Sequence, residues 1–226
     1  MRTIIISGVS RGLGKELFTC LTGMPDVLLI GISRPSDSEI INTNENQLIF
    51  YIDLAQDNII FPDPSLWIRP TTTQLIWINN AGTIDPIGKI GNLDVNEVDH
   101  ALHTNLISPI KITSILVHAT LKYKLPFKVI NISSGAALSP IPGWGVYCTG
   151  KCGISMFLDC LAKDHPNVEL THIDPGVLDT EMQKKIRESD EKDFPLVSNF
   201  IAYHNDRQLK DPKAVANDIV ATHILR

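Results

Sequence analysis

The sequence predicts a single-domain α/β protein, a doubly wound sheet of about six parallel strands flanked by helices. Three observations carry this. Short apolar runs recur along the chain, segments of helical period or turn composition separate them, and the first run ends in a glycine-rich turn that enters a helix. Runs apolar on both faces suit a parallel sheet covered on each side. Their alternation with helices gives right-handed crossovers and a three-layer sandwich. The 226 residues, 43% hydrophobic, can bury one sizeable core. No repeat or linker divides residues 1–226.

"RTIIIS" (2–7) is the first strand, and "SGVSRGLGKEL" (7–17) leads from it into a helix over 13–22. Gly8, Gly12 and Gly14 free the backbone for a tight turn and close approach of a phosphate, and the helix N-terminus favours an anion. The spacing is G-x-x-x-G-x-G, and a merely tight turn is the alternative. "VLLIGIS" (27–33) is the second strand. It ends at Ser33 and Arg34 with no acid before Asp37; with Arg11 in the turn, this suits the 2′-phosphate of NADP. "RPSDSEIINTNEN" has room for two helical turns before "QLIFYI" (47–52), whose end at Asp53 is a candidate contact for an adenine edge. Pro62, Pro64 and Pro70 break any long helix before "QLIWIN" (74–79).

Helical patterns at 94–119 and 147–164 alternate with strands "KVINIS" (128–133) and "VELTHI" (168–173). Segment 181–210 is polar and poorly periodic but holds Phe194, Leu196, Phe200 and Tyr203, which marks it as a candidate lid. A last helix over 212–224 opens with Asp211-Pro212, and no apolar strand follows it, so a seventh strand is not expected.

A net charge of -5 and no basic run argue against nucleic-acid and anionic-membrane surfaces. The N-terminal apolar segment is too short for a signal peptide, and no stretch nears the ~20 residues of a membrane span. Four cysteines (20, 148, 152 and 160) form no Cys-x-x-Cys pair, so a reduced, cytoplasmic protein is expected, with Cys148 and Cys152 packing as small hydrophobes. Asp99, His100 and His103 resemble a metal cluster superficially, but no further ligand stands near and no metal is expected.

In "GWGVYCTGK" (143–151), Tyr147 and Lys151 are one helical turn apart. A phenol keeps its proton to about pH 10, and a neighbouring cation lowers that value. Taken singly, the pair could be a surface accident, Ser133 and Ser134 turn formers, and Asn105 a local backbone partner. Taken together, "SGVSRGLG", "NNAG" (79–82), Asn105 in "HTNLISP", "NISSG" (131–135), Tyr147-x-x-x-Lys151 and "DPGVLDT" (174–180) resemble the short-chain dehydrogenase/reductase family in the family's order, across residues 7–180. Within it, "GWGVYCTGK" followed by "PGVLDTEMQ" is similar to the sepiapterin reductase branch and its bacterial benzil reductase relatives. No residue matches the C-terminal aspartate with which sepiapterin reductases grip a pterin.

The resemblance implies a Rossmann-type oxidoreductase using NADP(H). Tyr147 would be the general acid, Lys151 its electrostatic tuner and holder of the nicotinamide ribose, and Asn105 the seat of a relay water. Ser134, thirteen residues before Tyr147, would donate to the substrate oxygen. Cofactor contacts would come from Gly8, Ser10, Arg11, Gly12, Leu13 and Gly14, from Arg34, Asp53 and Leu54, and from Asn80, Ala81 and Gly82. Pro175, Gly176, Val177 and Thr180 would complete them. Asn79 would line the cofactor and support its strand. Trp144 would wall the substrate pocket, a core or interface role being the alternative. The expected activity is NADPH-dependent reduction of a small ketone or α-diketone. An alcohol dehydrogenase working oxidatively and a non-catalytic NADPH sensor are the alternatives. Family members commonly pair through the helices at 94–119 and 147–164, so a homodimer or homotetramer is expected.

Overall fold

Strands form where the apolar runs stand. The protein is described by a computed structural model over residues 1–35 and 46–225. Its strands are β1 (Arg2–Ser7), β2 (Val27–Ser33), β3 (Gln47–Tyr51), β4 (Gln74–Asn79), β5 (Phe127–Ile132) and β6 (Glu169–Ile173). All pair in parallel, in the order β3-β2-β1-β4-β5-β6. The two helical turns expected within 34–46, and Asp37, lie outside the described residues.

Alternation along β1 divides the core between the two faces. Ile4 and Ile6 pack with Leu13, Leu17, Phe18 and Leu21 of α1 (Gly12–Leu21) and Ala216 and Ile219 of α7 (Pro212–Ile219). Ile5 faces the other way, with Ile112 and Leu116 of α3 (Ser108–Tyr123) and Ile154, Leu158 and Leu161 of α4 (Gly145–Asp164). Every residue of β2 is buried, as a strand covered on both faces requires. β6 departs from that pattern: Glu169 and His172 are exposed, because β6 is an edge of the sheet and lacks a neighbour on one side.

The helix expected over 212–224 is α7 followed by a π-helical turn, Val220–Ile224, and two further segments differ from the sequence reading. The helix expected over 94–119 is α2 (Val95–Leu102) and α3 joined by a π-helical turn, His103–Ile107. One-turn π insertions commonly mark functional positions, and Asn105 sits inside this one. Segment 181–210, read as poorly periodic, contains α5 (Glu181–Arg187) and α6 (Val197–Asn205). Their apolar side chains answer to a third small core, away from the sheet, built around Trp144, Phe194 and Ile186. Among the described residues no helix is long and apolar enough to cross a membrane.

The strand order reverses between β1 and β4, and in open α/β sheets ligands bind in the crevice at the carboxyl ends of such strands. The glycine turn leaves β1 and the "NNAG" turn leaves β4 at that crevice.

Candidate active site

The crevice is floored by glycines because larger residues do not fit. Gly8 takes φ +76° and donates its N–H to the Ile32 carbonyl at 2.9 Å; a Cβ there would meet the Ala81 Cα at 3.0 Å. A Cβ on Gly14 would overlap the Gly8 carbonyl oxygen and the Asn80 amide. Asn80 binds the two turns together. Its Nδ2 donates to the Ser7 carbonyl at 2.9 Å, while the backbone N–H groups of Asn80 and Ala81 both donate to Ser7 Oγ at 3.0 Å. Gly12, at φ +56°, faces the Thr180 methyl, 3.5 Å from a notional Cβ. The three sequence motifs therefore meet along one trough, and its small-residue floor fits a dinucleotide's pyrophosphate. Gly14→Ala is expected to destabilise the fold by about 2–3 kcal/mol, since the overlap is with backbone that cannot step aside. A thermal melt in which the variant unfolds within about 2 °C of wild type would contradict it.

At the trough's far end three elements bring the candidate catalytic groups together. Tyr147 and Lys151 share one face of α4, with Lys151 Nζ 5.9 Å from the phenol ring centroid and donating to the Ile132 carbonyl at 2.8 Å. Ser134, at the end of the loop after β5, hydrogen-bonds the Tyr147 hydroxyl and accepts the Ala136 N–H at 3.2 Å. Asn105 comes from the π-helical turn. Its Oδ1 accepts the Thr83 N–H at 2.9 Å and its Nδ2 donates to the Thr83 carbonyl at 2.8 Å. The amide thus ties the "NNAGT" loop to the helix. A relay water would depend on the second lone pair of Oδ1 or on the backbone the π turn distorts. Gly82 and Gly150 permit the approach: a Cβ on Gly82 would sit 3.2 Å from Asn105 Oδ1 and 3.7 Å from Lys151 Nζ, and one on Gly150 would lie 2.7 Å from the Asn105 Cβ.

Electrostatics correct one expectation. Burial pushes the Tyr147 phenol up from 10.0; the Ser134 hydrogen bond pulls down, and Asp174 and Cys148 push up further. A value lowered by Lys151 is the expectation; the net shift is upward because burial of the phenol is the largest cause. The Lys151 ammonium is directed to the Ile132 carbonyl, and burial draws its own pKa from 10.5 down to about 8, with Asp174 opposing that fall. Tyr147 is consequently a protonated acid across the neutral range.

Several expected contacts have other partners. Leu13 and Leu54 are core side chains, 6% exposed each, so a ligand would reach only their backbone. Asp53 accepts from the Ala55 N–H and Gln56 Nε2, both at 3.1 Å, and so fixes the turn after β3. Asn79 donates to Asn131 Oδ1 at 2.9 Å inside the sheet. The Val177 carbonyl accepts the Lys210 N–H at 2.9 Å, and Thr180 caps α5 through the Gln183 N–H at 3.5 Å. Arg11 and Arg34 are exposed at the near end, where Gly8 and Val9 both hydrogen-bond Ile32 of β2. Of the cysteine pair, Cys148 packs beside Tyr147, but Cys152 is exposed. His103 is buried beside Asp57 (3.5 Å) and Asp99 (3.7 Å), and no set of three possible ligands occurs among the described residues.

Phe194 was named only as part of a lid. Its ring, fully buried, stacks on the Trp144 indole at 4.7 Å and 3°, and Trp144 meets Tyr147 edge-on at 5.6 Å. Phe200 lies 5.3 Å from the indole, and Lys185 of α5 reaches Asp85 at 2.6 Å on the opposite loop. Segment 181–210 therefore lays aromatic rings against Trp144, which in turn meets Tyr147. Asp174 and Lys210 were not singled out by sequence. Asp174 stands inside the "DPG" motif; Lys210, whose Nζ donates to the Pro175 carbonyl at 3.2 Å, carries no sequence signal.

A parallel sheet with a glycine-floored crevice at its switch point defines a Rossmann-type nucleotide-binding α/β protein. A family model described as short chain dehydrogenase matches residues 2–191, and the chain belongs to the short-chain dehydrogenase/reductase family, NAD(P)-dependent oxidoreductases. It is 36% identical over 97% of its length to a benzil reductase ((S)-benzoin forming) of Bacillus cereus, covering 92% of that protein. It is 34% identical over 82% of its length to the sepiapterin reductase of Rattus norvegicus, covering 77% of it. The crystal structure of the KRED1-Pglu enzyme shares the fold with a TM-score of 0.83 at 24% identity, covering 100% of this chain and 95% of that one.

Proposed function

We propose that the protein is an NADPH-dependent carbonyl reductase acting on a small ketone or α-diketone. The observation that carries this is the Ser134–Tyr147 pair: a buried phenol, hydrogen-bonded to a serine hydroxyl, that keeps its proton at neutral pH. Such a group is ready to give a proton to a carbonyl oxygen; an enzyme working oxidatively needs it as a base. The likeness to benzil and sepiapterin reductases supports the same class of substrate.

When bound, the dihydronicotinamide supplies the hydride taken up by the carbonyl carbon. Ser134 then holds the substrate oxygen by hydrogen bond, and Tyr147 delivers its proton to that oxygen as negative charge develops there. Lys151, charged below its pKa of about 8, stabilises the tyrosinate that remains. Asn105 holds the loop beside Lys151 in place. The segment 181–210 acts as a lid whose Phe194 stacks on Trp144 of the opposite wall, and the paired rings exclude water beside Tyr147. The glycine turn, Ala81, Gly82 and the 175–180 turn hold the cofactor's backbone, and Arg11 and Arg34 favour the extra phosphate of NADPH.

The test is loss of NADPH absorbance with a panel of diketones, simple ketones and sepiapterin, run beside NADH. Turnover of neutral diketones is expected; a panel on which nothing reacts, with NADPH still bound, defeats the reading. Arg34→Ala is expected to raise KM for NADPH about tenfold and leave that for NADH within about twofold. Equal loss with both cofactors would remove the arginine's assigned part.

A further inference from the structure

One charged side chain at the reacting end gives nothing directly to the substrate carbonyl. Asp174 follows β6 directly and opens the turn that continues through Gly176. Its Oδ1 accepts the Gly176 N–H at 2.9 Å. Its Oδ2 lies 3.7 Å from where a Cβ on Gly135 would stand, and no hydrogen bond or ion pair with a described residue engages that oxygen. Gly135 is the neighbour of Ser134, and Ser134 is bonded to Tyr147. A solvent-exposed carboxylate oxygen therefore stands beside the Ser134–Gly135 turn, within electrostatic reach of Tyr147.

A carboxylate here acts on the reaction in two ways. Asp174 raises the pKa of Tyr147, against release of its proton, and raises that of Lys151, which helps to keep the ammonium charged. Its turn-capping role does not require the charge, since asparagine or serine would accept the Gly176 N–H as well. The Oδ2 atom, beside the Ser134–Gly135 turn and taken by no protein donor among the described residues, is open to a donor on the ligand. Resting on the carbonyl-reductase reading, we infer that Asp174 is a specificity-determining residue, whose unpartnered oxygen selects carbonyl substrates bearing an ammonium or hydroxyl donor beside the reacting carbon and turns away 2-oxo acids.

Three substrates of one shape separate the terms: phenylglyoxylate, its neutral methyl ester, and phenacylamine as its ammonium. In wild type, kcat/KM relative to the ester is expected to be low for the acid and high for the amine. Asp174→Asn keeps an acceptor for the Gly176 N–H and removes the charge. It is expected to raise the acid-to-ester ratio about tenfold and lower the amine-to-ester ratio by a similar factor. Asp174→Ser repeats the test with a shorter acceptor. Binding to the cofactor-free protein gives a second readout, because Trp144 lies at the site and its fluorescence reports occupancy. Phenacylammonium should bind more tightly than phenylglyoxylate to wild type and lose that advantage in both variants. If wild type reduces none of the three, the reductase reading fails, and the binding order still decides the part of Asp174. Ratios within about twofold of wild type, together with an unchanged binding order, overturn the inference.

Discussion

Tyr147→Phe is expected to lower kcat for carbonyl reduction by about 10²–10⁴-fold while leaving the affinity for NADPH within about twofold. The magnitude follows from what one oxygen atom does. The phenol is the proton source next to Ser134, and the buried setting offers no solvent water to replace it quickly, since Tyr147 is 7% exposed. The ring itself has a separate task. It meets Trp144 edge-on at 5.6 Å and lies in the small core with Phe194 and Ile186, and phenylalanine keeps all of that packing. Loss of the acid is thus separable from loss of the fold. Ser134→Ala combined with Tyr147→Phe should cost little more than the worse single change, because the two donors act on one oxygen as a unit. Steady-state kinetics and NADPH fluorescence titration check both halves. A phenylalanine variant turning over at the wild-type rate would end the acid assignment, and a matching fall in NADPH affinity would make the tyrosine a cofactor residue instead.

How far the sequence reveals this site depends on the range of the forces involved. The sheet is legible because its strands are self-sufficient signals. β2 is free of polar side chains up to its last residue, Ser33, and buried throughout, and no distant residue is needed to see why. The pairing of Tyr147 with Lys151 is likewise a local helical fact. The π-helical turn is not local: the side-chain pattern of 94–119 reads as an uninterrupted helix, while the insertion coincides with two hydrogen bonds exchanged between Asn105 and Thr83 on another loop. The helices α5 and α6 hide for a related reason. Their apolar residues pack against Trp144, so their period emerges only once α4 is in place. Asp174 stands in a motif, yet its meaning rests on Gly135 and Ser134, which follow β5. The sign of the effect on Tyr147 needed burial as well as spacing. Lysine is ordinarily exposed, and nothing in "YCTGK" says that this one is 6% exposed.

That burial gives Lys151→Met an unusual expected outcome: turnover is lost and stability rises. The folded state holds the ammonium away from water, and its pKa falls from 10.5 to about 8, chiefly through desolvation. In the unfolded chain the lysine keeps its ordinary value near 10.4. Between about pH 8 and pH 10.5 the unfolded chain therefore binds more protons than the folded one, and stability rises with pH across that window. Below about pH 8 both states are charged and the folded one bears the whole desolvation penalty, on the order of 3 kcal/mol. Methionine is similar in length and uncharged. It leaves the Ile132 carbonyl without the 2.8 Å donor it now has, which costs about 1–2 kcal/mol. The balance at neutral pH is a gain of about 1–2 kcal/mol, a trade of stability for function of the kind active sites commonly hold. Urea unfolding at pH 7 and pH 10 reads both consequences, with wild type gaining stability between the two relative to the variant. A variant less stable than wild type at pH 7 would mean that the bonds around Lys151 outweigh its desolvation. Equal pH dependence in the two proteins would mean that the ammonium is not buried in solution as it is here, and the tyrosinate would then have a weaker, water-screened partner.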